Sequence, residues 1–309
     1  VPIPIVSHPE YEAELPVGHR FPMGKYGALA RRLEALGLVP DGFHEPEPAS
    51  AETIALAHER AYVDSVLALD VPREIERRIG LPVTDAVVRR ARRSAGGTLL
   101  AARLALRHGL AGSTAGGSHH GQRATGAGFC VFNDVAIAAR ALQETGDIRR
   151  VLVVDCDVHQ GDGTADCLAG DPDLFTFSIH AEKNYPVRKI ASDLDVGLPD
   201  GLGDEDYLAA LGRHLPRLLD GIAPDLVFYN AGVDPHAEDR LGRLALSDDG
   251  LRRRDASVIG ETRTRGIPLV SVVGGGYTTD TEALGRRHAF VFEAMAEAMG
   301  IAQPPTSSS

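Results

Sequence analysis

The sequence predicts one α/β domain: a mainly parallel central sheet with helices on both faces. Two observations predict it. Short apolar runs of strand length alternate with helical patterns from one end of the chain to the other. The chemically unusual residues also collect just after those apolar runs, where ligands bind in open parallel sheets. At 309 residues, length alone would permit two domains, but no linker, repeat or low-complexity segment divides the chain.

Taken in order, residues 3–7 form a short apolar strand. Residues 24–36 carry apolar side chains at helical spacing and stop at Gly37. Residues 51–69 read as a helix broken near Glu59 and Arg60, and residues 85–106 as a long helix. The Arg89, Arg90, Arg92 and Arg93 cluster on that helix is expected to be a solvated face. Residues 114–117 are small and glycine-rich and lead into His119 and His120. A helix over 132–142 begins at Asn133 and Asp134. Strands follow at 151–157, 174–179, 226–230 and 268–273, with helices over 205–219 and 248–265. A last helix covers 282–299, so the domain is expected over 1–302, with 303–309 as a disordered tail.

Hydrophobic content of 43% and charged content of 24% are ordinary for a globular protein. The formal net charge of −11 argues against a broad grip on nucleic acid and leaves cationic amines, or their neutral acylated forms, as ligands. Cys130, Cys156 and Cys167 form no CxxC pair, which suits a reducing, cytoplasmic setting. No apolar stretch reaches membrane-spanning length, and the first five residues are unlike a signal peptide.

The most informative stretch is Asp155-Cys156-Asp157-Val158-His159, directly after the apolar run 151–154. Continued as a strand, it would put Asp155, Asp157 and His159 on one face. Two carboxylates and an imidazole are buried cheaply only around a cation, and a divalent metal is the simplest one. Three more segments carry unusual chemistry: Gly116 to Gly121 around the histidine pair, Tyr229 to Asp234, and Gly274-Gly275-Gly276-Tyr277. Adjacent histidines in an extended segment would point apart and need different partners.

Together, these four segments resemble the histone deacetylase family, within the arginase/deacetylase fold. The resemblance runs from His19-Arg20-Phe21-Pro22-Met23 to Tyr277, and residues 19–23 and 192–197 look most like the class IV branch and its bacterial relatives. It implies a metal-dependent amidohydrolase that removes an acyl group from an acylated lysine side chain. Asp157, His159 and Asp234 match the family's zinc ligands, and such donors also accept iron(II) or cobalt(II). The resemblance pairs His119 with Asp155 and His120 with Asp162, with His120 as general base and acid and His119 as electrostatic helper. Tyr277 is the implied electrophilic partner of the substrate carbonyl. Gly128 and Phe129 match the grip on the substrate stem, Leu241 a wall residue, and Tyr185 supplies a facing ring. Asp155 and Ser178 match a structural potassium site.

The better-studied branches also carry an acidic rim residue that holds the substrate backbone. No residue of the loop 71–81 matches it, and Asp70 and Glu74 are the nearest candidates. Two other amidohydrolase readings remain: an enzyme of small acylated amines such as acetylpolyamines, and a remover of long fatty acyl groups from lysine. An inactive acyl-lysine-binding scaffold is the reading from outside enzymology. Nothing in the sequence sets the oligomeric state.

Overall fold

The computed structural model describes residues 2–301, so the expected tail at 303–309 and the domain end at 302 lie outside the described residues. The chain begins with β1 (Ile5–Val6), a single 3-10 turn (Pro9–Tyr11) and α1 (Lys25–Ala35). The segment expected as one broken helix is two separate ones, α2 (Ala51–Ile54) and α3 (Arg60–Leu67). Then come α4 (Arg73–Ile79), α5 (Asp85–His108) and β2 (Leu110–Ser113). The hydroxyl of Thr84 caps the start of α5, and Gly109 with φ 87° ends it.

The second half continues with α6 (Asp134–Glu144), β3 (Val151–Asp155), α7 (Asp162–Leu168), β4 (Leu174–Ala181) and β5 (Leu194–Leu198). It closes with α8 (Asp204–Ile222), β6 (Leu226–Asn230), α9 (Asp248–Thr264), β7 (Leu269–Val272) and α10 (Thr281–Ala298). All seven strands lie in one sheet, in the order β1-β2-β7-β6-β3-β4-β5, and every pairing is parallel. In β3, β6 and β7 every residue is buried, so both faces are covered. The helices pack as two groups: α5 on α6, and α10 between α1 and α9.

Sheet order fixes where a site can form. After β3 the chain moves to β4 and β5, and after β6 it moves the other way to β7. Neighbouring strands β3 and β6 therefore send their connections in opposite directions. That switch point opens a crevice beyond their carboxyl ends. Asp155 and Asn230 face each other in register at its floor.

Three expectations need correction. Strand β3 stops at Asp155 rather than 157, so strand alternation does not bring Asp157 and His159 together. Part of the loop 71–81 is helical, as α4. Arg90 is not on a solvated face. It is buried, donates to the Tyr11 carbonyl at 2.9 Å and to the Tyr26 hydroxyl at 2.5 Å, and lies 4.8 Å from the Tyr26 ring centre. Those partners replace the water that its guanidinium gives up.

Candidate active site

Beyond β3, two side chains curl the backbone. The Asp157 amide donates to Asp155 Oδ1 at 3.1 Å, and the His159 amide donates to Asp157 Oδ1 at 3.0 Å. Each is an Asp bonding the amide two residues on, the local turn that Asp favours. This pair of turns, not a strand face, aims Asp157 and His159 into the crevice. Asp234 reaches the same point from the loop after β6.

Ligand atoms of Asp157, His159 and Asp234 all lie within 4.8 Å of one another, and all three residues are buried. His159 Nδ1 is 3.0 Å from Asp157 Oδ1 and 3.1 Å from Asp234 Oδ2. One oxygen of each carboxylate is held by a backbone amide: Val158 donates to Asp234 Oδ1, and Gly275 to Asp157 Oδ2. The remaining Asp234 oxygen is buried without a hydrogen bond among the described residues. An unpaired buried carboxylate oxygen is costly. Burial and the neighbouring Asp157 charge push the Asp234 carboxyl upward, and a cation at this point would reverse that. The donor set fits a divalent metal with an open coordination position. Asp155 is outside the cluster: Oδ1 accepts from Asp157 and Asn230, and Oδ2 contacts His119.

His119 and His120 sit in a turn, so their rings do not point apart; the ring centres are 4.1 Å from each other. Their partners do differ. His119 Nδ1 is 2.7 Å from Asp155 Oδ2, and His120 Nδ1 is 2.6 Å from Asp162 Oδ1. Burial alone would lower His119, but Asp155 and Asp157 outweigh it and raise its pKa to about 9. For His120, burial and then the positive His119 lower the pKa to about 4 against the pull of Asp162. Neighbouring imidazoles thus hold different protonation states at neutral pH.

Tyr277 lies across from the acidic cluster, its ring centre 6.0 Å from that of His159. Burial, then the Asp157 and Asp234 charges, raise its phenol far above the usual range, so it remains an O–H donor. Close approach explains the glycines before it. A Cβ on Gly275 would stand 2.0 Å from Asp234 Oδ2. Above these groups opens a cavity of about 520 Å³, with His120, His159 and Tyr277 in its wall. Gly128, Phe129, Tyr185 and Leu241 all line it. Gly128 has φ 53°, and a Cβ there would meet His120 Cδ2 at 2.5 Å. Ser178 lies beside Asp155 on β4 and contacts His180 Nδ1 at 2.9 Å.

The sequence profile of the histone deacetylase domain matches residues 19–295. This chain belongs to the histone deacetylase family. It is 46% identical over 292 residues to an uncharacterized protein of Picosynechococcus sp., covering 94% of this chain and 97% of that one. A probable deacetylase of Methanothermobacter thermautotrophicus is 33% identical over 304 residues, covering 91% of this chain and 87% of that one. Histone deacetylase 2 of Arabidopsis thaliana is 31% identical over 269 residues, covering 84% and 70%. Among solved structures, an HDAC homolog complexed with SAHA superposes with a TM-score of 0.80 at 23% identity, covering 96% of this chain and 84% of that one. These likenesses make the histone deacetylase fold and a deacetylase-family membership plain.

Some residues that brace this deacetylase site escaped the sequence reading. Arg254, fully buried on α9, donates to the Gly232 carbonyl at 2.6 Å and the Cys156 carbonyl at 3.3 Å. It joins the loops that carry Asp157 and Asp234. Buried Lys25 donates to the Gly274 carbonyl at 2.8 Å, fixing the turn before Tyr277. Asp239 accepts the Tyr277 amide at 2.7 Å together with the Leu241 and Gly242 amides. In sequence, Arg254 and Lys25 look like ordinary surface charges. Asp239 alone carried a signal, as an acid two residues before Leu241.

Proposed function

We propose that this chain is a metal-dependent amidohydrolase that removes an acyl group from an acylated lysine side chain. The observation that carries the reading is the convergence of Asp157, His159 and Asp234 opposite the Tyr277 phenol. Zinc, or iron(II) or cobalt(II), held by those three residues would polarise the acyl carbonyl and acidify a water.

The protein's own groups divide the remaining work. Phe129 and Tyr185 hold the methylene stem in the cavity and keep bulk water from it. Neutral His120, its Nδ1 engaged by Asp162, takes the proton of the attacking water at its other ring nitrogen. Tyr277 donates its O–H to the carbonyl oxygen as that oxygen gains charge. His119, held as an imidazolium by Asp155, adds positive charge beside the reacting centre. His120 then returns its proton to the departing amine. Amide and water give an amine and a carboxylate.

A structural potassium ion beside Asp155 and Ser178 belongs to the same reading, supported by their adjacency on β3 and β4. Replacing potassium with sodium should lower thermal stability, and no response removes that ion. Three buried cysteines without a disulfide support a reducing, cytoplasmic setting. Among the described residues no helix is long and apolar enough to cross a membrane. The deciding experiment is hydrolysis of a series of acyl-lysine peptides, short to long acyl chain, with metal content measured on the same sample. Chelation should abolish turnover and zinc restore it; turnover indifferent to chelator overturns the reading.

A further inference from the structure

The mouth of the cavity is lined by Arg20, Arg77 and Arg78, and no aspartate or glutamate lines it. Asp70 and Glu74, the nearest acidic candidates for a rim residue, are exposed and stand outside this lining. None of the three arginines makes an ion pair among the described residues, although the chain carries a net charge of −11. Elsewhere most arginines are paired, so three unpaired guanidiniums at one opening are a local inversion of the protein's charge.

Their placement is built into the fold. Arg77 and Arg78 form the last turn of α4, and the carbonyls of Arg78 and Ile79 accept the Gly128 and Phe129 amides at 3.0 and 2.6 Å. The helix end is therefore tied to the wall of the cavity. The Arg20 guanidinium lies 5.0 Å from the centre of the Phe129 ring. Arg78 also reaches Gln122, whose amide holds Asp162.

We propose that these arginines form an anion-selecting rim, so that the preferred substrate is an acylated amine with a carboxylate just outside the cavity. This rests on the amidohydrolase reading and names its substrate class. With the acyl-lysine stem between Phe129 and Tyr185, the lysine Cα and its neighbours emerge beside the three guanidiniums. Planar guanidinium forks match carboxylates and disfavour amines. Acidic residues flanking an acyl-lysine, or the α-carboxylate of the modified amino acid itself, present that group; acetylated polyamines present further cations instead and are rejected.

The test uses the metal-loaded protein and three acetyl-lysine peptides of equal length, with Glu, Gln or Lys at flanking positions. Binding is read by fluorescence anisotropy and turnover by kcat/KM. The expected order is Glu over Gln over Lys, with about a tenfold spread at low salt that shrinks as salt rises. In Arg77→Gln/Arg78→Gln and in Arg20→Gln the Glu-to-Lys ratio falls about two- to fivefold for each guanidinium removed. Blocked acetyl-lysine as free acid and as amide separates the α-carboxylate from flanking side chains. Equal or inverted ranking in the wild type overturns the proposal, as does a ratio unchanged in the variants. Ranked binding without any hydrolysis supports the rim and removes the amidohydrolase reading.

Discussion

Asn230 donates from Nδ2 to Asp155 Oδ1 at 3.0 Å, across the register pair that ends β6 and β3. The same Asp155 oxygen accepts the Asp157 amide, and the other contacts His119. One carboxylate thus joins two strands, the turn toward the metal cluster and the histidine loop. Asp155→Asn keeps an oxygen for Asn230 and Asp157 but removes the charge that keeps His119 protonated. The variant should fold, and its kcat should fall about 10²-fold or more. Circular dichroism and steady-state kinetics on an acetyl-lysine peptide check this. A kcat near wild type would show that His119 needs no charged partner.

Tyr277→Phe removes one hydroxyl and leaves the ring and the backbone bond to Asp239 in place. Nothing else in the cluster loses a partner. Thermal stabilisation by metal and KM should stay close to wild type while kcat falls about 10²- to 10³-fold, the usual cost of losing one oxyanion donor. A change confined to KM would make Tyr277 a wall residue.

Metal binding should also appear as stability without any turnover. In the metal-free protein Asp157 and Asp234 repel each other in a buried site, and one Asp234 oxygen has no donor. Zinc at about a hundred times its Kd should stabilise the fold by about 2.7 kcal/mol. Asp234→Asn loses a ligand and relieves the repulsion. Its metal-free melting temperature should equal or exceed that of metal-free wild type, while its rise with zinc largely disappears. Differential scanning fluorimetry with and without chelator measures both.

The sequence disclosed the chemistry better than the means of assembling it. Asp157, His159, Asp234, the histidine pair and Tyr277 stood out because polar groups beside apolar strands have few inexpensive explanations. The strand face invoked to unite Asp155, Asp157 and His159 was the wrong device: successive Asp-capped turns do it, and Asp234 replaces Asp155. Strand β5 went unread because only Leu198 of its five residues is buried, as befits an edge strand. Strand β2, Leu-Ala-Gly-Ser, is too short and small to announce itself. Arg90 and Arg254 sit in arginine-rich helical runs that look solvated, because no local pattern reveals the distant carbonyls that bind them.

His58 makes the region behind the histidine loop sensitive to acid. Its Nδ1 is 2.8 Å from the Gln122 carbonyl, which must receive a proton, and its Nε2 accepts the Asn133 amide at 2.9 Å. Only the neutral ring satisfies both, and protonation would set two N–H groups against each other. Burial accordingly lowers its pKa from 6.5 to about 4. The unfolded chain binds more protons between those values, so stability is complete above pH 6.5 and is lost as pH falls toward 4. Between pH 7 and pH 5 this residue should cost the fold about 2 kcal/mol. His58→Gln is expected to start less stable at pH 7 but to lose correspondingly less on acidification. Urea unfolding at the two pH values compares the slopes, and other buried histidines such as His180 act equally in both proteins. Equal losses in wild type and variant would mean that His58 stays neutral in the unfolded chain or finds a second acceptor when protonated.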